Sequence, residues 1–188
     1  MKKIFLTLLF ILTTGCSSPQ PHFYQPITMK TTELSYPAVK GVILLQSLIL
    51  PAEASRPQIT TIGKNSYELN IDEFNRWGAA PDKLFQRIIN QNLSICLPNA
   101  SIENQTPIRK NYKYAVAIEI TEMTGKLEKE AVLNASYFIK NRGGNTIKSG
   151  KLDEAIAIKG GYDDYVLAQS RLLSALSAQI AADLNSLK

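Results

Sequence analysis

Apolar and polar positions in the first half of the chain predict strands. Residues 41–50 (GVILLQSLIL) form a bounded apolar run that is too short to span a membrane, and Pro51 directly after it favours a buried strand over a helix. Residues 58–62 and 66–71 are typical of a hairpin around Gly63-Lys64-Asn65, because Gly and Asn accept positive φ. We therefore expect three strands before residue 72.

An amphipathic helix is predicted next. Pro81 suits the first helical position, Asp82 favours the positive end of the helix dipole, and Pro98 ends the segment. The apolar stripe recurs at helical spacing and consists of Leu84, Phe85, Ile88, Ile89, Leu93 and Cys96.

The second half of the chain repeats this order of strands followed by a helix. A period of two is visible at Tyr112, Tyr114, Val116, Ile118 and Ile120. Strands at 131–140 and 146–158 are joined through residues 141–145, where Gly supplies positive φ. After Gly160-Gly161 a spacing of three and four marks a long helix with the stripe Tyr165, Gln169, Leu172, Leu173, Leu176, Ile180, Leu184 and Leu187.

This order of elements predicts an α+β fold. Each helix is apolar on one side only, so both helices must be buried against the strands. We expect a mixed, mostly antiparallel sheet packed by two amphipathic helices in a two-layer sandwich.

The N-terminus has the features of a lipoprotein signal peptide. Lys2 and Lys3 precede a short uncharged apolar run at residues 4–12, which at ~1.5 Å per residue covers under half of a ~30 Å bilayer core. Thr14-Gly15-Cys16-Ser17 resembles a lipobox, with small residues ahead of a thiol that accepts a diacylglyceryl group. Acylation of Cys16 then anchors the protein in a membrane. By the general sorting rule, Ser17 permits export to the outer membrane.

Three segments follow from this interpretation. Residues 1–15 are the signal peptide, residues 16–22 the lipidated N-terminus and a short tether, and residues 23–188 a single periplasmic α+β domain. Removing residues 1–15 from the 188 residues leaves 173, which suits one compact domain and is too short for a two-lobed solute-binding protein.

Composition argues against nucleic-acid binding and against His-based catalysis. The chain has 21 Lys and Arg against 16 Asp and Glu, a formal net charge of +5. The predicted signal peptide contains two lysines and no acid, so its removal lowers the net charge to +3. The basic residues are scattered along the chain and do not form the cluster that nucleic-acid binding requires. The single histidine, His22, falls in the tether, which leaves the domain without a His-based triad or His-rich metal site. We expect no enzyme activity and no cofactor, and we expect Cys96 to be a small core residue.

Nearly the whole chain resembles the ABC-type transport auxiliary lipoproteins of the PqiC-like type, which are associated with MCE-domain lipid transport. The resemblance rests on the lipidated start and on motifs in a fixed order: Phe23-Tyr24-Gln25, Leu50-Pro51, Arg56-Pro57-Gln58-Ile59-Thr60, Trp77 ahead of Pro81, Asn92-Leu93 and Leu97-Pro98. It implies a non-enzymatic subunit that is lipid-anchored at the periplasmic face of the outer membrane. Its implied partner is an MCE-domain protein of the cell envelope, and homo-oligomerisation stays open.

Pro51, Arg56, Pro57, Gln58 and Trp77 are the candidate partner-binding residues. Arg56 either pairs with a local carboxylate as a loop anchor or contributes a polar hot spot at a partner surface. Trp77 either packs as a lid on the sheet or anchors an interface. The alternative function is a lipoprotein chaperone or plug that helps to assemble an outer-membrane protein or its glycolipid.

Replacing Cys16 by Ser removes the thiol that takes the lipid. We expect the Cys16→Ser protein to incorporate no fatty acid and to remain soluble or uncleaved, as measured with labelled fatty acid in growing cells. Label on the variant would show that the lipid is attached elsewhere and that the anchor assignment is wrong.

Overall fold

The computed structural model describes residues 19–29, 34–104 and 111–188. The predicted lipidation residue Cys16 and its neighbour Ser17 lie outside these ranges. Within them the chain forms, in order, β1 (His22–Tyr24), β2 (Gly41–Ile49), β3 (Gln58–Ile62), β4 (Leu69–Trp77), α1 (Pro81–Cys96), β5 (Ala100–Asn104), β6 (Tyr114–Lys126), β7 (Glu130–Lys140), β8 (Thr146–Ala157) and α2 (Tyr162–Ser186).

A five-stranded sheet with the order β5-β2-β6-β7-β8 is the larger of two sheets in the described residues. β2 is parallel to both of its neighbours, whereas β6, β7 and β8 form a long antiparallel meander. The interior position of β2 explains its largely apolar sequence, because parallel strands inside a sheet have apolar surroundings. The predicted strand at 41–50 is therefore confirmed.

Both helices cover the same face of this sheet. α1 packs on β2 and β5, α2 packs on β7 and β8, and the two helices contact each other. Every residue of the predicted α1 stripe is buried, and so is the α2 stripe up to Leu184. Since burying one Leu or Ile contributes about 1.5–3 kcal/mol, these stripes make a large apolar contribution to stability. The α+β sandwich and the core position of Cys96 are confirmed.

The strands divide into two sheets, where the pattern predicts one. β1, β4 and β3 form a separate three-stranded sheet in the order β1-β4-β3. β2 ends at Ile49, a turn at Pro51 redirects the chain, and β3 then packs beside β6 without joining its ladder. β1 begins at His22, one residue before the predicted start of the domain.

The hairpin of β3 and β4 is confirmed, but its predicted turn is wrong. β4 begins at Leu69 rather than at residue 66 and extends to Trp77. Neither Gly63 nor Asn65 has positive φ, because the longer connection closes through the bond from Gly63 N–H to the Glu68 carbonyl at 2.7 Å. In the β7–β8 turn, Gly144 does adopt φ +81°, as predicted.

A polar cluster fixes the C-terminal end of α2 to the meander. The Tyr137 hydroxyl donates to Asp183 Oδ2 at 2.6 Å, and Lys148 Nζ lies 3.0 Å from Asp183 Oδ1 and 2.8 Å from Ser186 Oγ. Burial and the Asp183 carboxylate both raise the pKa of Tyr137. The Tyr137 ring reaches Asp183 by crossing Gly150, where a Cβ would overlap the phenol.

Adding a methyl group at Gly150 should therefore destabilise the fold. We expect Gly150→Ala to lower the free energy of unfolding by about 1–3 kcal/mol, because Tyr137 must leave its position. Chemical denaturation measures the change, and Ser149→Ala on the exposed side of the same strand is the control, expected within about 0.5 kcal/mol of the wild type. Equal stability of the two variants would mean that the Tyr137 ring moves aside without cost.

Candidate functional site

The loop between β2 and β3 is a compact turn. The Pro51 carbonyl accepts hydrogen bonds from the backbone N–H groups of Ala54 and Ser55 and from the Ser55 hydroxyl, at 3.0–3.1 Å. The Ala54 side chain is buried, and the Thr60 hydroxyl donates to the Glu53 carbonyl at 3.1 Å. The turn is thus tied to β3 on its inner side and is rigid for a surface loop.

Arg56 and Pro57 project from this turn into solvent. Both side chains are exposed, and in the part of the chain that the structure describes no hydrogen bond or ion pair involves the Arg56 guanidinium. The Pro57 carbonyl accepts the Trp77 backbone N–H at 2.7 Å, which holds the base of the loop against β4. Within the described ranges, Arg56 therefore has no partner of the kind that a loop anchor requires.

Gln58 links the loop to an irregular part of β4. Its Nε2 lies 3.1 Å from Glu73 Oε2 and 3.3 Å from Glu73 Oε1. The register between β3 and β4 shifts between Gln58 and Thr60, because β4 bulges at residues 72–75. Asp72 Oδ1 closes the bulge by accepting the backbone N–H groups of Phe74 and Asn75 at 2.8 and 2.9 Å, an Asx-type turn.

One face of the three-stranded sheet points away from the helices. Gln58 and Phe23 are both paired with Arg76, and Leu69, Ile71 and Glu73 alternate with residues that point inward. We call this surface the outer sheet face; it consists of Phe23, Gln58, Leu69, Ile71, Glu73 and Arg76.

Apolar side chains on and beside the outer sheet face are unusually exposed. Phe23 is 66 % exposed, Leu69 50 % and Ile71 40 %, and Phe74 in the adjoining bulge is 42 % exposed. Contiguous exposed apolar groups framed by polar ones mark protein interaction sites more often than isolated apolar residues do. The rim contributes Arg56 and Gln58, so three of the predicted partner-binding positions (Arg56, Pro57 and Gln58) adjoin this surface.

Trp77 is on the other side of the same sheet. It is only 6 % exposed and packs edge to face on Phe85, with ring centroids 5.1 Å apart. The structure therefore places Trp77 as a lid between β4 and the first turns of α1, and Pro51 is half-buried at the base of the loop.

A polar network fastens the inner side of the bulge to the start of α2. The Tyr162 hydroxyl donates to Asp72 Oδ2 at 2.9 Å, and the Tyr24 hydroxyl donates to Asn75 Oδ1 at 3.0 Å. Burial, together with the Asp72 carboxylate, raises the pKa of Tyr162 to about 12. Desolvation acts upward on the pKa of Asp72, but the hydrogen bonds from Phe74, Tyr162 and Asn75 outweigh it and hold that pKa below its ordinary value.

Sequence reasoning missed the apolar part of this surface. In the sequence Phe23 stands out only as part of a motif, and the predicted strand ends at residue 71, before the bulge. The available signal was Asp72 two residues ahead of Phe74, since Asp accepts a backbone N–H two residues onward in an Asx turn. The sequence does not predict the pairing of β1 with β4, because a strand of three residues is too short to show an alternation of apolar and polar side chains.

Across residues 19–29, 34–104 and 111–188, no group of three His, Cys, Asp or Glu side chains is placed to hold a metal ion. The helices in those ranges are not long and apolar enough to cross a membrane.

The class of protein is shown by a family model that matches most of the chain. Residues 25–181 match the model of the ABC-type transport auxiliary lipoprotein component. The chain therefore belongs to this family of transport auxiliary lipoproteins, and its role is non-enzymatic, as the sequence predicts.

Individual relatives agree with this assignment. The chain is 22 % identical over 190 residues to the intermembrane transport lipoprotein PqiC of Escherichia coli (strain K12) and equally to that of Shigella flexneri, covering the whole of each protein. A crystal structure of a protein from Xanthomonas campestris has the same fold, with a TM-score of 0.71 and 13 % identity over 89 % of this chain and 100 % of that one.

The geometry of the bulge predicts that Asp72 makes a pH-dependent contribution to the free energy of unfolding. We expect Asp72→Ala to lower the free energy of unfolding by about 1–3 kcal/mol near neutral pH, because two backbone N–H groups and the Tyr162 hydroxyl lose their acceptor. The pKa of Asp72 is lower in the folded state than the ~3.9 of an unfolded chain. The contribution of Asp72 to stability is therefore complete at pH values above the unfolded-state pKa, and it is lost as the pH falls through the folded-state pKa.

Denaturation of the wild type and the variant between pH 3 and 7 tests this expectation. The difference in unfolding free energy should be constant from about pH 5 upward and should shrink below about pH 4. Glu119→Ala, which removes an exposed carboxylate from β6, is the control. A difference that stays constant down to pH 3 would contradict the assigned role of the Asp72 carboxylate.

Proposed function

We propose that this protein is the auxiliary lipoprotein of an intermembrane lipid transport system, anchored by acylated Cys16 at the periplasmic face of the outer membrane. In this proposal the outer sheet face docks an MCE-domain protein that is anchored in the inner membrane. The observation that carries it is the exposed apolar surface of Phe23, Leu69 and Ile71 beside the rigid loop of Arg56. Membership of the transport auxiliary lipoprotein family supports the transport role, and the name of the Escherichia coli relative supports the intermembrane setting.

The position of β1 supports docking close to the anchor. The predicted tether runs from Cys16 to His22, which opens β1, and at ~3.3 Å per residue it spans only about 20 Å. β1 is also a strand of the sheet that carries the outer sheet face. A partner bound there is held near the membrane in which the lipid is inserted.

The packing of α2 favours a protein that binds a partner protein over one that itself binds and carries lipid. The apolar stripe of α2, including Leu172, Leu176 and Ile180, is fully buried against the meander and α1. An apolar helix face that is already packed does not line a groove for acyl chains. The accessible apolar groups are side chains on a sheet face, which suits binding to another protein surface.

The surface combines the two features that tight interfaces use. Aromatic and aliphatic side chains such as Phe23, Phe74 and Ile71 supply apolar area, and Arg56 supplies a charged group at the rim. Because the Pro51 carbonyl already orders the Arg56 loop through three hydrogen bonds, binding costs little additional conformational entropy.

Replacing Arg56 by Ala should weaken partner capture without unfolding the protein. We expect the affinity for the MCE-domain partner to fall by about 5–30-fold, the loss of one or two kcal/mol, while the free energy of unfolding changes by no more than about 0.5 kcal/mol. Capture is measured by photocrosslinking in cells from a probe at Phe74, with the partner identified by mass. Arg171→Ala, which removes an exposed guanidinium from α2, is the matched control and should leave capture unchanged.

Two results would contradict the proposal. If Arg56→Ala lowers stability by several kcal/mol and capture falls only in proportion to the folded protein lost, Arg56 is structural. If capture is the same in both arginine variants and the probe at Phe74 captures no MCE-domain protein, the docking surface is elsewhere.

A further inference from the structure

A small cavity lies between the end of β1, with the segment that follows it, and the first turns of α2. Its walls are Tyr24, Gln25 and Ile27 on one side and Asp163, Val166 and Leu167 on the other. We call it the β1–α2 cavity. Its volume of about 220 Å³ is smaller than the ~300 Å³ at which sites for whole small-molecule ligands begin. At about 30 Å³ for each water of the bulk liquid, it has room for a group of only a few non-hydrogen atoms.

Hydrogen bonds hold both walls of the β1–α2 cavity in place. The Ile27 backbone N–H donates to Ser170 Oγ at 3.1 Å, and that hydroxyl donates to the Val166 carbonyl at 2.8 Å. From α1, the Arg87 guanidinium donates to Gln25 Oε1 at 3.2 Å. The cavity is therefore preformed, and a ligand that binds there does not have to order its walls.

The opening of the cavity is apolar. Ile27 is 51 % exposed and Leu167 36 %, and Val166 is buried in the same wall as Leu167. The ring of Tyr24 packs beside that of Tyr162 with centroids 6.2 Å apart, and aromatic rings attract ammonium groups by the negative charge on their faces. An amphiphilic ligand fits this arrangement, with its apolar part at the opening.

Asp163 brings a negative charge to the α2 wall. Its carboxylate is exposed, and within residues 19–29, 34–104 and 111–188 it makes no hydrogen bond or ion pair. The neighbouring Asp164 has a structural role instead, since its Oδ2 accepts the Gly160 backbone N–H at 2.9 Å. Burial, Asp163 and Asp72 all raise the pKa of Tyr24, because negative charge nearby opposes ionisation of the phenol. This part of the cavity therefore favours a cation.

Arg87 supplies the opposite charge behind the other wall. Its hydrogen bond to Gln25 holds the guanidinium there, and guanidinium groups suit phosphate oxygens. A carboxylate, a guanidinium and an apolar opening match the zwitterionic head group of an aminophospholipid, in which an ethylene linker joins a phosphate to a primary ammonium group. The acyl chains of such a lipid adjoin the head group on its apolar side.

The predicted anchor brings the cavity to a lipid surface. Pro19 is three positions beyond Cys16, and Tyr24 is eight positions beyond it. At ~3.3 Å per residue, Tyr24 thus lies within about 26 Å of the predicted acylated cysteine. The head groups of the bilayer that holds the anchor are within reach of the cavity.

We propose that the β1–α2 cavity binds the head group of phosphatidylethanolamine in the membrane that holds the anchor, with the ammonium group at Asp163 and the phosphate towards Arg87. This rests on the proposed anchoring by acylated Cys16. The acyl chains stay in the bilayer beside Ile27 and Leu167, so the buried stripe of α2 stays closed. The bound head group fixes the orientation of the domain on the membrane, and the cavity shares no residue with the outer sheet face.

Photocrosslinking from the opening of the cavity identifies the head group. The full-length lipoprotein, with a benzophenone amino acid in place of Leu167, is reconstituted into nanodiscs that contain equal amounts of phosphatidylethanolamine and phosphatidylglycerol. Phosphatidylglycerol has the same phosphate but no ammonium group, and the crosslinked lipids are distinguished by mass. We expect phosphatidylethanolamine adducts to exceed phosphatidylglycerol adducts about three- to fivefold, the selectivity that one charged contact at a partly exposed site provides.

Removing the charge of Asp163 gives the matched comparison. Asp163→Asn should bring the two adducts close to equality, because a neutral amide does not pair with an ammonium group. Asp153→Asn removes an exposed carboxylate from β8 and should leave the ratio unchanged. A second probe replaces Ile147, which is 41 % exposed and precedes the Lys148 contact at the far end of α2, and should capture little lipid. Unfolding curves verify that both Asn variants are folded.

The outcomes separate this site from the anchoring. If the protein stays in the nanodiscs but the probe at Leu167 captures no lipid, the cavity does not face the bilayer and the proposal is wrong, while the anchoring stands. Equal adducts in the wild type, or a ratio that Asp163→Asn leaves unchanged, would overturn recognition of the head group. Failure of the protein to enter nanodiscs would contradict the anchoring itself, and the proposal with it.

Discussion

The burial of one long helix is the interaction on which the rest of this structure depends. α2 has Leu172, Leu173, Leu176, Ile180 and Leu184 on its buried stripe, all 0 % exposed, and the β7–β8 hairpin supplies most of the sheet surface they require. The two ends of α2 make polar contacts with different sheets. Asp183 ties the last turns to the meander, and Tyr162 ties the first turn to the bulge of the small sheet. The position of the proposed docking surface therefore depends on how α2 is packed on the β7–β8 hairpin.

The sequence predicted those parts of the fold whose signal is local and periodic. Both helices were identified because their stripes repeat over several turns, and the meander because alternation and turn glycines agree. β5 was missed, since Ala100–Asn104 has only Ile102 as a large apolar residue and is defined by its parallel pairing with β2. The division into two sheets was missed for a related reason: it is decided by where β2 ends and by tertiary contacts of β3, neither of which has a periodic signature.

The candidate surface shows the same limit. Arg56, Pro57 and Gln58 stand out in the sequence because prolines flank a charged residue in a connection, and the structure places them at one rim. The apolar part of the surface requires β1 and β4 to meet across about fifty residues of chain. That contact is fixed by the parallel pairing of the two strands and by the hydrogen bond from the Tyr24 hydroxyl to Asn75. Trp77 looks the same in sequence whether it faces the core or solvent, and only its contact with Phe85 decides between them.

β1 also has a mechanical consequence. It is joined to the rest of the domain by a three-residue parallel pairing with β4, by the Tyr24 contacts and by the bond from Gly78 N–H to the Tyr24 carbonyl at 2.7 Å. A pull on the chain ahead of His22 is borne by these few bonds before it reaches the buried stripes of the helices. In the proposed anchoring and docking, tension between the two membranes reaches β4 first, the strand that carries Leu69 and Ile71. Partner binding and the load on the tether would then act on the same strand.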